Sequence, residues 1–535
     1  MTEKKQILKS ASVITLVTIA SRIFGYVRDQ RITLLLGTSQ LADSFVLAYR
    51  IPNLLRRLVA EGAMTAAFIP VFTGYLAEKP REEVWDFANR LFWTMAVLLA
   101  AIAVLGMIFS PTVVNLFTAL DPAKTQHWDR AIELNRIIFP YIFFIGLAAM
   151  AMAILNSFHI FGLPAATPIL LNISIIVFSI GAVWQHFRDP AVALSVGVVV
   201  GGALQFLVQV PLLVKQGMRF RLGISFRDPG VRSVGRLMVP VFLGGAVYQI
   251  NIFVDTIFAT SAKMPEGSLS SLYVADRVME LVLGGYAIAV ATAILPMMAH
   301  QAAVHDFEAM KRTFAFALRI VSFITIPAMV GLIVLREPII SVLFQHGEFS
   351  STSTTLTARA LLYYAIGLPA FAAVKLIVPA FYSSQDTRTP VRVAIYSLAL
   401  NILFNLLFIK TFFQTFYNGG PALATSLSAY FNFFTLFVIF RLRFGRLGTL
   451  HILVSLAKVA ACSALMGGLC WVMLRYSGFQ QYVGVWERIG VFTLMIVAAT
   501  VFYLGLAWAL RCAEVEEVYG IATRKDVSPG KRMGQ

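Results

Sequence analysis

A helix that crosses the hydrocarbon core of a bilayer needs ~20 predominantly apolar residues. This chain contains fourteen such segments, separated by glycine, proline or charge clusters. They run over 11–35, 41–76, 85–117, 131–158, 164–186, 191–214, 237–261, 269–299, 312–335, 355–383, 390–412, 420–440, 449–474 and 489–511, with a short interfacial piece at 339–347. Hydrophobic residues occupy 58% of the 535 positions and charged residues 13%. A soluble chain of this length has no single core large enough to hide that much apolar surface, so the solvent is lipid. The expected fold is all-α, a polytopic membrane protein.

The net charge of +17 would suggest nucleic acid in a soluble protein. Here the basic residues sort by loop instead. One set of alternating loops and the termini holds 24 Lys and Arg, the other set 8, and an excess of positive charge marks the cytoplasmic side. Both termini are therefore expected in the cytoplasm, as an even number of spans requires. The charged start at Met1–Lys9 imitates a secretory signal, but Arg22, Arg28, Asp29 and Arg31 follow within the apolar stretch and no small-residue cleavage site is evident. Cys462, Cys470 and Cys512 lack CxxC spacing and read as ordinary helix residues, with neither a disulfide framework nor a zinc site. The histidines have no metal-ligand spacing, and no GxxxxGK[ST] phosphate loop occurs.

The chain repeats weakly at a nearly constant offset: Arg50 with Arg277, Pro70 with Pro296, Arg136 with Arg359, and Pro168 with Pro390. AAFIP at 66–70 matches TAILP at 292–296. Two six-helix lobes of the same orientation follow from an even number of spans per repeat. The expected division is an N-lobe at 1–217, a C-lobe at 218–446, two further helices at 447–512 and a cytoplasmic tail at 513–535.

An ionisable group at a helix centre costs ~2.5–3.5 kcal/mol on insertion scales, so charges inside spans mark a functional or paired environment. Arg22 and Asp29 are seven apart on one face of segment one, with Arg28 beside them. Asp43, Arg50 and Arg57 form a stripe on segment two, with Arg56 adjacent and Glu61 one turn on. Asp276, Arg277 and Glu280 lie within one turn of segment eight. Structural ion pairing is the plainer reading of Asp29, Glu61, Asp276 and Glu280, each of which has a basic neighbour. Of the arginines in the first two segments, the five at Arg22, Arg28, Arg50, Arg56 and Arg57 face three acids, Asp29, Asp43 and Glu61, leaving two positive charges in surplus. A planar guanidinium that stays charged at low polarity suits phosphate, so the pattern favours a diphosphate over a cation or a sugar alone.

The stretches SRIFGYVRD at 21–29, ADSFVLAYRIPNLLRRLVAEGAMTAAFIPVF at 42–72, ILNSF at 154–158, YVADRVMEL at 273–281 and FYSSQDTRTPV at 381–391 resemble the MurJ (MviN) family of lipid II flippases. That family lies in the multidrug/oligosaccharidyl-lipid/polysaccharide exporter superfamily. The resemblance runs in register over segments one to twelve; segments thirteen and fourteen resemble it only in hydropathy and position. It implies two pseudo-symmetric lobes around a cationic central cavity, alternating access by rocking, and a lipid-tail groove formed by the last two helices. It further implies that Arg22, Arg28, Arg56 and Arg277 hold the pyrophosphate, and that Asp43 is a gate acid near the periplasmic end. Asp29, Arg57, Glu61, Asp276 and Glu280 then support the cavity or gate. In some relatives a sodium ion sits in the second lobe, and Asp255, Asn401, Asn405 and Thr425 would be its oxygen ligands here. The asparagine at 405 departs from the pattern by removing a second carboxylate, and interhelical hydrogen bonding is the plainer reading of Asn401 and Asn405.

The expected protein is thus a transporter of the bacterial inner membrane, moving lipid II as a monomer, driven by sodium or membrane potential, with transient contacts to cell-wall synthesis proteins and none to nucleic acid. The rivals are a polysaccharide-repeat flippase, a cation-coupled drug exporter, for which cavity acids would be expected, and a membrane enzyme on polyprenyl phosphates. Asp386 beside Arg388 is the nearest approach to an enzyme's acid constellation, and it reads as a solvated turn. A passive receptor or scaffold would have little use for buried charges.

Overall fold

Hydrocarbon offers no hydrogen-bond partners, so a backbone that crosses it must satisfy itself within each segment, and helices do so. The computed structural model describes residues 3–58, 64–121, 128–479 and 484–515, and the described parts of the expected segments are mostly helical, several of them broken by a turn, as at 139–140 and 179–180. In chain order the helices are α1 (Glu3–Leu36), α2 (Gln40–Arg56), α3 (Thr65–Glu78), α4 (Arg81–Ile108), α5 (Ser110–Phe117), α6 (Asp129–Ile138) and α7 (Tyr141–Ser157). Next come α8 (Gly162–Phe178), α9 (Gly181–Trp184), α10 (Pro190–Leu207), α11 (Val210–Lys215), α12 (Pro229–Ala259), α13 (Ser268–Ala303) and α14 (Phe307–Val334). The last are α15 (Arg336–Phe344), α16 (Ser351–Ser383), α17 (Arg388–Lys410), α18 (Phe413–Phe416), α19 (Gly420–Phe444), α20 (Thr449–Tyr476) and α21 (Val485–Ala509).

Nine helical stretches among the described residues are long and apolar enough to cross a membrane, and eleven if the bent α12 and α13 each count as one span. Segment five, α8, is a shorter apolar helix, and segments one and two, which hold the buried charges, fall outside that test. The short piece expected at 339–347 overlaps the nine-residue helix α15. Segment two divides into α2 and α3, each with an internal proline, Pro52 and Pro70. A proline removes one backbone donor and frees a carbonyl a turn earlier, which membrane helices tolerate when neighbours re-satisfy it.

Two units emerge from the packing, residues 1–270 with 346–353, and residues 271–345 with 354–535. The core of the first joins Ile32 and Leu36 of α1, Phe45 of α2, Leu134 and Ile138 of α6, Tyr141 and Ile145 of α7, Leu171 and Ile175 of α8, and Leu194 and Val198 of α10. Close approach of α10 to α8 requires a small residue: a Cβ at Gly201 would lie 2.9 Å from the Leu171 Cα. In the second unit α14 packs along α20, α17 along α19, and α21 against α20. Glu514, just beyond α21, is buried and accepts from Ser455 Oγ at 2.6 Å and Arg319 Nη1 at 3.4 Å, fixing the end of the last helix to α20 and α14.

The internal repeat survives in the local geometry of each unit. The end of α7 is closed by Ile160 N donating to Leu155 O, with His159 at φ 60°. The end of α16 is closed in the same way by Asp386 N donating to Phe381 O, with Gln385 at φ 61°. The helix that follows each cap is tied to a later helix by a serine: Ser174 Oγ donates to Gly197 O, and Ser397 Oγ to Ser428 O, both at 2.7 Å.

Candidate functional site: buried arginines and a capping carboxylate

Arg28 is largely enclosed, its side chain 11% exposed beside an Asp29 side chain at 6%. Its Nε and Nη2 donate to Asp29 Oδ1 at 3.0 and 2.7 Å, and its Nη1 to Asn172 Oδ1 of α8 at 2.9 Å. Asn172 in turn donates to the Ser21 carbonyl at 3.2 Å. The guanidinium is therefore neutralised by its own neighbour and oriented by an amide from α8. Sequence spacing places Asp29 on the face of Arg22, whereas the structure gives it to Arg28. Asn172 escaped the sequence reading, although a lone amide inside ILLNISIIVF is a signal, because polar side chains in apolar helices usually serve another helix.

One turn further along α1, Arg31 donates to Ser179 Oγ and O at 3.1 and 2.9 Å. On α2, Arg50 donates to Thr256 Oγ1 of α12 at 2.8 Å and Arg56 to Asn53 Oδ1 at 2.7 Å. Those contacts are to neutral groups and help to orient the guanidinium planes. Arg22 and Arg57 are partly buried and their side chains make no hydrogen bond or ion pair among the described residues. Glu61 lies outside the described residues, as does the tail beyond Val515. In the second unit Arg277 pairs with Glu280 Oε2 at 2.5 Å and stacks over the Tyr273 ring at 4.9 Å, while Asp276 is partly buried beside it. Cation–π stacking helps to fix the guanidinium plane.

Asp43 does different work. It is 1% exposed in the first turn of α2, and its carboxylate takes three donors at the start of α13: Gly267 N at 2.9 Å, Ser270 N at 2.7 Å and Ser270 Oγ at 2.6 Å. A carboxylate at a helix N-terminus satisfies orphan amides and meets the positive end of the helix dipole. Gly267 makes the approach feasible, with φ +81° and a position where a Cβ would lie 2.0 Å from the Thr38 carbonyl oxygen. Gly267→Ala is expected to lower stability by roughly 1–3 kcal/mol from backbone strain alone, with the clash in addition. Gly74→Ala, where nothing lies within 4 Å, serves as a near-neutral or slightly stabilising control. Thermal unfolding of the two variants in detergent checks the difference.

The four oxygen ligands implied for sodium are divided between the units. Asp255 belongs to the first and accepts from Asn251 Nδ2 at 3.3 Å. In the second, Asn401 Nδ2 donates to Thr425 Oγ1 at 3.3 Å, Asn405 Nδ2 to Asn401 Oδ1 at 3.0 Å, and Thr425 Oγ1 to Pro421 O at 3.0 Å. The Asn401 and Thr425 oxygens are engaged in these bonds, of which only Asn401 to Thr425 joins α17 to α19, whereas the Asn405 Oδ1 is buried and accepts no hydrogen bond among the described residues. A hard cation would need the engaged oxygens turned towards it. The residues thus fit sodium only in part. Among the described residues no three His, Cys, Asp or Glu side chains gather as metal ligands, and the three cysteines are buried and free.

Asp386 is more than a solvated turn. It caps α17, accepting from Arg388 N and Thr389 N at 3.1 and 2.9 Å and from Thr389 Oγ1 at 2.7 Å, and it pairs with Arg443 at 2.6 Å. Partial burial pushes its carboxyl up, but the Thr389 hydrogen bonds and the Arg443 guanidinium outweigh that and hold it below the usual carboxylate range. All its oxygens are committed to structure, so it offers no catalytic acid.

The family described as "Lipid II flippase MurJ" matches residues 32–492. A probable lipid II flippase MurJ of Vibrio cholerae serotype O1 is 36% identical over 522 residues, covering 95% of this chain and 96% of that one. The lipid II flippase MurJ of Burkholderia cenocepacia is 32% identical, covering 92% and 95%. A solved lipid II flippase MurJ in an inward closed conformation superposes with a TM-score of 0.75 at 26% identity, over 93% of this chain and 99% of that one. An inward-facing MATE transporter of the MOP superfamily shares the fold, with a TM-score of 0.65 at 15% identity over 79% and 94%. With the family pattern matched across most of its length and relatives above 30% identity covering nearly all of it, the chain belongs to the lipid II flippase MurJ family.

Proposed function

We propose that the chain translocates lipid II, the undecaprenyl-diphosphate-linked peptidoglycan precursor, from the cytoplasmic to the periplasmic leaflet by alternating access. It is a multi-pass membrane transporter and not an enzyme. The observation that carries the reading is the surplus of enclosed guanidinium groups in the first unit, of which Arg28 is oriented by Asn172 while Arg22 and Arg57 have no carboxylate among the described residues. A diphosphate supplies the missing negative charge and enough oxygens for bidentate donation. Arg22, Arg28, Arg56 and Arg277 hold it, Asp43 acts in the periplasmic gate, and the polyprenyl tail stays in lipid beside α20 and α21.

Return of the empty, positively charged site towards the cytoplasm is favoured by an interior-negative potential at ~2.3 kcal/mol per charge per 100 mV. Sodium bound by Asp255, Asn401, Asn405 and Thr425 is the alternative drive. The chain acts as a monomer in the bacterial inner membrane, with both termini in the cytoplasm and transient contacts to wall-synthesis proteins. A drug exporter is disfavoured because the surplus charge is positive. Depletion in cells, followed by a protease or colicin-type assay of which leaflet exposes lipid II, is expected to show accumulation on the cytoplasmic side alone. An unchanged distribution would favour a polysaccharide-repeat lipid as cargo.

A further inference from the structure

Between α11 and α12 the chain runs extended rather than helical, and it lies against the entry of a membrane span. Arg221 N donates to Asn89 Oδ1 and Ser225 N to Thr94 Oγ1, both at 3.1 Å, with Asn89 and Thr94 buried on α4. Three residues later Asp228 has returned to the level of Arg90, pairing with its Nη1 at 2.8 Å. The same carboxylate caps α12 through Gly230 N and Val231 N at 2.9 and 3.1 Å. The helix α4 starts in the charged run REEVWD and becomes apolar after Arg90. Asn89 to Thr94 is a rise of about 7.5 Å along the helix, so the loop descends towards the hydrocarbon, turns near Ser225 and climbs back.

Its side chains alternate. Phe220, Leu222, Ile224 and Phe226 are exposed to 36%, 77%, 48% and 54%, an apolar row around the deepest point in which Phe220 also packs edge-on against Phe92 of α4. Arg219 and Arg227 are exposed at its two ends and Arg221 between Phe220 and Leu222, and Arg232, also exposed, donates from Nε to the Phe226 carbonyl at 3.3 Å. Four exposed apolar side chains in water would be a liability, whereas an apolar tip below a collar of arginines is the arrangement by which amphipathic segments sit in the bilayer interface. The descent of the loop alongside a span and the positive collar both select the occupant, the anionic glycerophospholipids of the cytoplasmic leaflet.

We propose that residues 219–227 are an interfacial anchor, with Phe220, Leu222, Ile224 and Phe226 in the acyl boundary and Arg219, Arg221, Arg227 and Arg232 on lipid phosphodiesters. Through Asp228 the anchor sets the depth at which α12 begins. The proposal requires only that the chain spans a membrane and is independent of the cargo. The test places nitroxide labels at Leu222→Cys and Ile224→Cys in the full chain, with the parent labelled in parallel. The protein is reconstituted in phosphatidylcholine vesicles with or without phosphatidylglycerol. Both labels are expected to collide with dissolved oxygen and to be shielded from a water-soluble nickel chelate. Preference for phosphatidylglycerol over phosphatidylcholine, read by native mass spectrometry, is expected to fall about fivefold per arginine removed in R219Q/R221Q/R227Q and to persist in R219K/R221K/R227K, because the contact is with charge rather than with a bidentate fork. Labels open to the nickel chelate in both vesicles would assign the face to a soluble partner and overturn the proposal, as would an undiminished preference in the glutamine variant.

Discussion

Arg28→Glu is expected to abolish lipid II translocation while the protein still inserts. The parent guanidinium bridges Asp29 and Asn172, so the substitution places a second carboxylate beside Asp29 and repels a diphosphate from the same spot. Losing a buried charge-assisted contact between Arg28 and the diphosphate costs about 2–5 kcal/mol of binding, a fall in transport of at least about 30-fold, and reversing the charge adds to it. Arg28→Lys keeps the charge but not the planar fork and should retain partial activity. Complementation of a depleted strain, with membrane abundance measured alongside, checks both variants. Full complementation by Arg28→Glu would remove Arg28 from the proposed site. The same reversal at Arg277, which loses its Glu280 pair and its stacking on Tyr273, is expected to behave alike.

Asp43→Ala is expected to damage the chain by another route. It strands three donors at the start of α13, the amides of Gly267 and Ser270 and the Ser270 hydroxyl, in a site closed to water. Each buried unsatisfied donor costs about 1–3 kcal/mol, a total comparable with the stability of an ordinary domain. Asp43→Asn preserves the shape and one acceptor oxygen, so it should unfold less but lose the charge that meets the helix dipole. Thermal unfolding in detergent separates the two variants, and the leaflet assay then tells stability from function. A protein with Asp43→Ala as stable as the parent would refute the capping role.

Much of the candidate site was legible because a charge in an apolar run is conspicuous wherever it falls: Arg22, Arg28, Asp29, Asp43, Arg56 and Arg277 stand out from sequence alone. Their partners were not. Heptad spacing offered Asp29 to Arg22, yet the rotation of α1 against α8 gives it to Arg28 with Asn172 as the third member. Asp43 reads as an isolated acid in a polar stripe until the start of α13, more than two hundred residues on, supplies its donors. Asp386 reads as a turn residue until Arg443 arrives from the end of α19. The repeat was visible as a drifting offset between prolines and arginines, and it reappears as paired helix caps and serine ties because those depend on local sequence.

Sequence by itself determined that this chain is helical and lives in lipid, since each segment must close its own backbone hydrogen bonds and its length and apolarity decide whether it can do so in hydrocarbon. It likewise determined the surplus of positive charge inside the spans. Only the tertiary structure decided which of those charges is neutralised, which is merely oriented and which carboxylate caps a distant helix. A side chain's partner is set by helix rotation and by which neighbour packs within about 3 Å, and neither is encoded in spacing along one segment.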